Sequence, residues 1–398
     1  MGTGKRLALD NGRIALPDRI VEGCSLVIED EAILGIAKRD ELGSGLERFD
    51  VEGRLIAPGL VDIHTHGALG HSFDEAGESA WSIITAENAR RGITSLLATL
   101  VAAPLPDLLA SLGFAREWMR KAMPEAGARR PGGAQILGVH LESPYISPSQ
   151  CGALDPASLR LPDDGTARSF LDFSDVLKIF VLAPELPGAL DLVTALVAAG
   201  ILPAAGHSSA KDAEVAAAME RGLAHVTHIW SAMSSVVREG PWRKPGLLEA
   251  ALVFEGLTVE MIADDRHLPS TLMKLAWKCI GADRLCAISD AGSGAGLPEG
   301  AAYSMAAMTY VVRDGVGQSL DGKVFGGSST LLSQELPILT AVVGIPLCDA
   351  LRMASLTPAR AIGAASRKGS IEAGKDADLA IFDDDFGAWR TMIRGRWL

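Results

Sequence analysis

A chain of 398 residues, 48% hydrophobic and 22% charged, has an ordinary globular composition, sized for one large domain of about 250–300 residues plus an appendage. A net charge of −12 without a basic run disfavours nucleic acid, and the longest apolar runs, Val176–Ala183 and Leu190–Leu202, are too short or too interrupted to span a membrane. Five scattered cysteines without a CxxC pair exclude a thiolate zinc site and, with no apolar segment after Lys5 and Arg6 to act as a secretory signal, predict a reducing, cytoplasmic location.

Residues 1–56 read as short β segments, Arg6–Leu9, Arg13–Ala15, Ser25–Glu29, Ala32–Ala37 and Arg54–Ile56, separated by turn-forming residues. The last 34 residues behave alike, with Gly369–Ile371, Leu379–Phe382 and Met392–Arg394 as candidate strands. The two ends are expected to join in a small β-sandwich domain, residues 1–56 plus 365–398. Between them, strand and helix patterns alternate. Candidate strands are Leu60–His64, Thr94–Thr99, Ile136–Leu141, Val176–Leu182, Leu202–Gly206, His225–Thr227, Thr258–Ile262 and Leu285–Ser289. Helical patterns follow most of them, at Ala80–Arg91, Leu105–Lys121, Gly188–Ala199, Lys211–Arg221, Ser270–Gly281 and Ser333–Val343. The rhythm predicts an α/β fold, a (β/α)8 TIM-type barrel over residues 57–364.

In such a barrel, chemistry sits at the C-terminal ends of the strands. The first strand ends in His64 and His66, which alternation puts on one face. The third ends in His140 and Glu142, the fifth in His207, the sixth in His228, the seventh in Asp264 and His267, and the eighth in Asp290. Six of the eight histidines therefore converge on one mouth. Four histidines and two carboxylates make one or two sites for a borderline divalent cation, zinc first, with iron or manganese also tolerated. Glu142 can bridge two ions, and Asp290 is placed as a proton shuttle for hydrolysis of an amide or deamination of an amidine. His225, on the opposite strand face from His228, and His71, in a polar loop, read as supporting residues. Of His140 and Glu142, one is expected to support rather than ligate. Gly292–Gly300 lacks the lysine and the context of a phosphate loop and reads as a mobile loop over the site.

These motifs resemble the amidohydrolase superfamily and, within it, the N-acetylglucosamine-6-phosphate deacetylases. Pro58–Gly67, His140–Tyr145, Gly206–Ser208, Thr227–Met233, Ile262–Pro269, Ile288–Ala291 and Gly369–Phe382 carry the likeness almost end to end. The resemblance implies a core metal site of Glu142, His207 and His228, a second from His64 and His66, and Asp290 as general base and then acid. It also implies that Arg243, His267, Ser231, Ala232, Gly152 and Ala153 meet the substrate, and that the protein is a dimer with Arg243 serving the neighbouring subunit. The implied partner is an anionic sugar phosphate.

The departures touch the pocket rather than the ligands. Where the family usually carries a histidine that contacts the substrate and helps polarise its carbonyl, this sequence has Leu154; Ser231 stands for an asparagine and Ser143 for a glycine. The expected activity is removal of acetate from an N-acetyl amino-sugar 6-phosphate. The alternative is a deaminase or cyclic amidase acting on another small molecule, which Leu154 and Ser231 favour. A non-catalytic metal-bound protein would have no use for a placed proton shuttle such as Asp290.

Overall fold

Eight runs of mostly apolar residues pair in parallel, in chain order, as β1 (Leu60–Thr65), β2 (Ile93–Val101), β3 (Gln135–Glu142), β4 (Leu177–Leu182), β5 (Leu202–Ala205), β6 (His225–Val226), β7 (Thr258–Ile262) and β8 (Leu285–Ile288). The computed structural model describes residues 5–43, 45–122, 132–305 and 308–398. Each barrel strand lies within two residues of its expected bounds. The seam closes just beyond β1 and β8: Asp290 N donates to His64 O at 2.9 Å, His66 N donates to Ala291 O at 2.8 Å, and Thr65 bridges Ala291. Backbone closure therefore brings His64, His66 and Asp290 together.

Helices Glu78–Arg90, Leu105–Ala122, Ala189–Ala198, Asp212–Glu220, Leu247–Val253 and Ser270–Ile280 wrap the strands. Their apolar faces supply the shared core. Met273, Ala276 and Ile280, spaced three and four apart, are buried by the last of these, while Trp81, Ile84, Leu112 and Leu196 come from the others. Truncating a large side chain in such a core costs about 2–5 kcal/mol.

The chain ends build two further sheets. One holds Ala32–Lys38, Cys24–Glu29, Arg6–Asp10 and Glu47–Asp50. The other holds Arg396–Trp397, Ala388–Ile393, Leu379–Phe382, Leu55–Pro58, Arg13–Ala15 and Ile20–Val21. Leu9, Ile14, Leu26, Ile56, Leu379 and Met392 share one core between them.

Two local expectations are corrected. Gly369–Ile371 is not a strand, because Gly369 takes φ +84° against the helix start at Ser355 and Leu356; only Ile371 reaches the sandwich core. Gly292–Gly300 is not a free loop. Residues 291–295 are buried, a Cβ on Gly294 would lie 2.3 Å from the Tyr303 ring, and one on Gly292 would lie 2.5 Å from Gly326 O. The glycines permit close packing against an antiparallel sheet inserted after β8, made of Ala302–Met305, Met308–Arg313, Val316–Ser319 and Phe325–Ser328.

Candidate metal centre

Glu142 ends β3 and divides its two oxygens between two pairs of histidines. Oε1 lies 3.0 Å from His207 Nε2 and 2.7 Å from His228 Nε2. Oε2 lies 3.5 Å from His66 Nε2 and 3.7 Å from His64 Nε2. Asp290 Oδ1 closes the second group, 3.1 Å from His66 Nε2 and 3.5 Å from His64 Nε2. All six side chains are buried. His207 and Asp290 have left-handed backbone, φ +48° and +46°, which turns each side chain into the mouth just past its strand end.

Hydrogen bonding behind the imidazoles tests whether a cation fits. His207 Nδ1 faces Gln150 O at 2.7 Å; a carbonyl only accepts, so Nδ1 carries the hydrogen and a neutral His207 presents its Nε2 lone pair. That lone pair is aimed at a carboxylate oxygen and sits 3.1 Å from His228 Nε2. His64 repeats the pattern, with Nδ1 on Glu260 Oε2 at 2.9 Å and a buried Nε2 that has no hydrogen-bond partner. Lone pairs converging on carboxylate oxygens are the donor set of a divalent cation. Glu142 with His207 and His228 forms one such group, and His64 with His66 and Asp290 another. Without a cation, burial works against a charged Glu142, while His64, His207 and His228 facing it as proton donors hold its carboxyl well below the usual range; a bound cation would take that role over from neutral imidazoles.

Glu260 is the functional residue that the strand-end rule misses. It lies within β7, fully buried, and gathers the supports of the centre. Oε2 accepts from Thr227 Oγ1 at 2.6 Å and faces His64 Nδ1, while Oε1 faces His225 Nε2 at 3.0 Å. The signal was an ionisable residue inside an apolar parallel strand, which is normally covered on both faces. Because Glu260 accepts at both oxygens, Glu260→Gln sets an amide donor against a donor and frees the His64 ring. We expect metal affinity, read by chelator competition, to fall about 10–100-fold; unchanged affinity would show that His64 is oriented by packing alone.

His225 supports from behind the centre, as expected. His140 does so too: its Nδ1 donates to Ile63 O at 2.8 Å, and burial, aided by His64, lowers its pKa to about 3. His71 pairs with Glu75 outside the site.

A cavity of about 340 Å³ opens above the centre. His66, Glu142, Gly152, Ala153, Leu154, His207, His228, Ser231, Ala232, His267 and Asp290 all line it. His267 is aimed by Asp264, whose Oδ2 lies 2.8 Å from His267 Nδ1 and whose Oδ1 accepts from the backbone of Arg266 and His267. Leu154 is buried and continuous with Val101 and Ile146, so that wall offers no hydrogen bond. Arg243 does not line this cavity in its own chain. It sits on an exposed hairpin, Val237–Glu239 and Trp242–Lys244, with its guanidinium on Pro241 O.

A barrel with this seam and two histidine–carboxylate groups defines a class, and the sequence comparisons agree. The amidohydrolase family model matches residues 55–398, and the chain belongs to that family. Within it, the similarity falls on sugar-phosphate deacetylases. An N-acetylglucosamine-6-phosphate deacetylase of Bacillus subtilis is 31% identical, over 86% of this chain and 84% of the relative. An N-acetylgalactosamine-6-phosphate deacetylase of Escherichia coli O157:H7 is 29% identical, over 87% of this chain and 88% of the relative. The crystal structure of N-acetylglucosamine-6-phosphate deacetylase from Pasteurella multocida superposes with a TM-score of 0.90 at 28% identity, covering 99% of each chain.

Proposed function

We propose that this chain hydrolyses the acetamide of an N-acetyl amino-sugar 6-phosphate, releasing acetate and the amino-sugar phosphate. The observation that carries the reading is the Glu142 carboxylate shared between two histidine pairs, with Asp290 set against one of them at the cavity floor. Glu142, His207 and His228 would hold one divalent cation, and His64 and His66 a second, with zinc the first choice and iron or manganese compatible. Such a cation supplies Lewis acidity and makes water nucleophilic near neutral pH.

The remaining work falls to the chain's own groups. Asp290 takes the proton of the attacking water at its carboxylate and returns it to the amine nitrogen as the C–N bond breaks. His267, fixed through Nδ1 by Asp264, presents Nε2 to the substrate, and Ser231, Ala232, Gly152 and Ala153 shape its seat. Arg243 acts from a second copy. The apolar Val236, Val237 and Trp242 exposed on its hairpin support a dimer that covers them. The five cysteines are all free, which supports a reducing, cytoplasmic setting, and among the described residues no helix is long and apolar enough to cross a membrane.

The test is acetate release from N-acetylglucosamine 6-phosphate, N-acetylgalactosamine 6-phosphate and unphosphorylated N-acetylglucosamine. Release that needs the phosphate supports the reading. Its absence from metal-loaded protein would favour the alternative that the apolar Leu154 wall supports, a cyclic amidase or deaminase.

A further inference from the structure

One wall of the cavity belongs to the sheet inserted after β8, from which Met305, Lys323, Val324 and Phe325 line it. Backbone bonds lock this wall to the centre. Ser328 N donates to Asp290 O at 2.8 Å and Gly292 N to Ser328 O at 2.9 Å, while the Arg266 guanidinium donates to Asp314 O at the sheet's far turn. Phe325 meets His267 edge to face, with centroids 5.1 Å apart at 72°, yet remains 41% exposed. Lys323 is the single lysine or arginine among the described residues lining the cavity; its ammonium lies 3.4 Å from Asp321 and is otherwise open to solvent.

From this placement we propose that Lys323 and Phe325 select the substrate: the ammonium pairs with an anionic substituent and the ring lies against the apolar face of the sugar. The inference rests on the deacetylase reading and deepens it. Its physical basis is the charge left on the lining. Any cation at the centre would be committed to Glu142, Asp290 and the acetamide, so on a chain of net charge −12 an anionic substituent elsewhere on the substrate needs a cation of its own, and Lys323 is the one that the described lining supplies. A flexible ammonium is a point charge that follows its partner, and a phosphate of roughly −1.5 to −2 outcompetes the single carboxylate of Asp321. Phe325 adds a non-polar face where Leu154 already removes a polar one.

The experiment compares kcat and KM for N-acetylglucosamine 6-phosphate and the unphosphorylated sugar at low and high salt, in wild type, Lys323→Met, Lys323→Arg and Phe325→Ala. Lys323→Met should raise KM for the phosphorylated sugar about tenfold with little change in kcat, and should blunt the salt dependence; Lys323→Arg should restore both. Phe325→Ala should raise KM for both sugars about three- to tenfold. A wild-type phosphate preference that survives Lys323→Met with its salt dependence intact overturns the proposal and leaves the anion to Arg243. A wild type that hydrolyses neither sugar overturns the deacetylase reading itself, and the proposal with it. Wild type alone tells these two failures apart.

Discussion

Asp290→Asn should lower kcat about 10³–10⁴-fold while KM changes little and the fold survives. Asparagine keeps the size of the side chain and tolerates the left-handed backbone that Asp290 adopts, so the seam bonds to His64 O and from Ser328 N can persist. What is lost is the proton acceptor. General acid–base catalysis is worth about 10²–10⁴ in rate, and Asp290 serves both halves of the proposed reaction. Metal bound at Glu142, His207 and His228 should remain, because Asp290 belongs to the other group. A loss below tenfold in protein with full metal would show that another group moves the proton.

Lys368→Met should cost about 3–5 kcal/mol of stability without altering the chemistry. Lys368 is buried, with its ammonium 2.9 Å from Asp376 Oδ2, 2.5 Å from Asp378 Oδ2 and 2.8 Å from Gln135 Oε1. Burial pushes the Asp378 carboxyl up against the pull of Lys368, and methionine fills the same space while leaving Asp378 without its ion pair and Asp376 with Arg367 alone. Gln135 starts β3 and Glu142 ends it, so the ion cluster stands roughly 23 Å from the metal centre. It ties the start of a barrel strand to the turn before the sandwich strand Leu379–Phe382. Urea unfolding measures the effect, and a shift worth under about 1 kcal/mol would mean that water replaces the ammonium.

The barrel and its mouth were legible because two simple periodicities carry them. Apolar runs at a regular spacing gave the strands, and alternation put His64 with His66 on the face where Asp290 later joins them. The last residue of β3 gave Glu142, and the segments just past strand ends gave His207, His228 and His267. Glu260 escaped because it sits inside a strand rather than at its end. Phe325 was readable as a pocket change, since Phe325-Gly326-Gly327 stands where the resembling family carries Ala-Gly-Ser, whereas Lys323 escaped because four short strands with glycine-rich turns have too little pattern to announce a sheet. Arg243 is a different case: its residue type and motif were readable, but its side chain does not line its own chain's cavity.

The leucine at position 154 has a structural counterpart. It joins Val101 and Ile146 in an apolar cluster on the cavity wall, opposite in character to the histidine usual in the resembling family. On the proposed reading, carbonyl polarisation would fall to the centre itself, and His64 and His66 beside Glu142 would hold the cation that supplies it.

The most direct measurement follows from this. Protein stripped by chelation is titrated with zinc, and in parallel with iron(II) or manganese(II), while bound ions are counted and acetate release from N-acetylglucosamine 6-phosphate is recorded at each step. The account predicts that stripped protein is inert and that activity rises with occupancy, saturating at one or two ions per chain. Full activity without metal, or a fully loaded protein that releases no acetate, would contradict it.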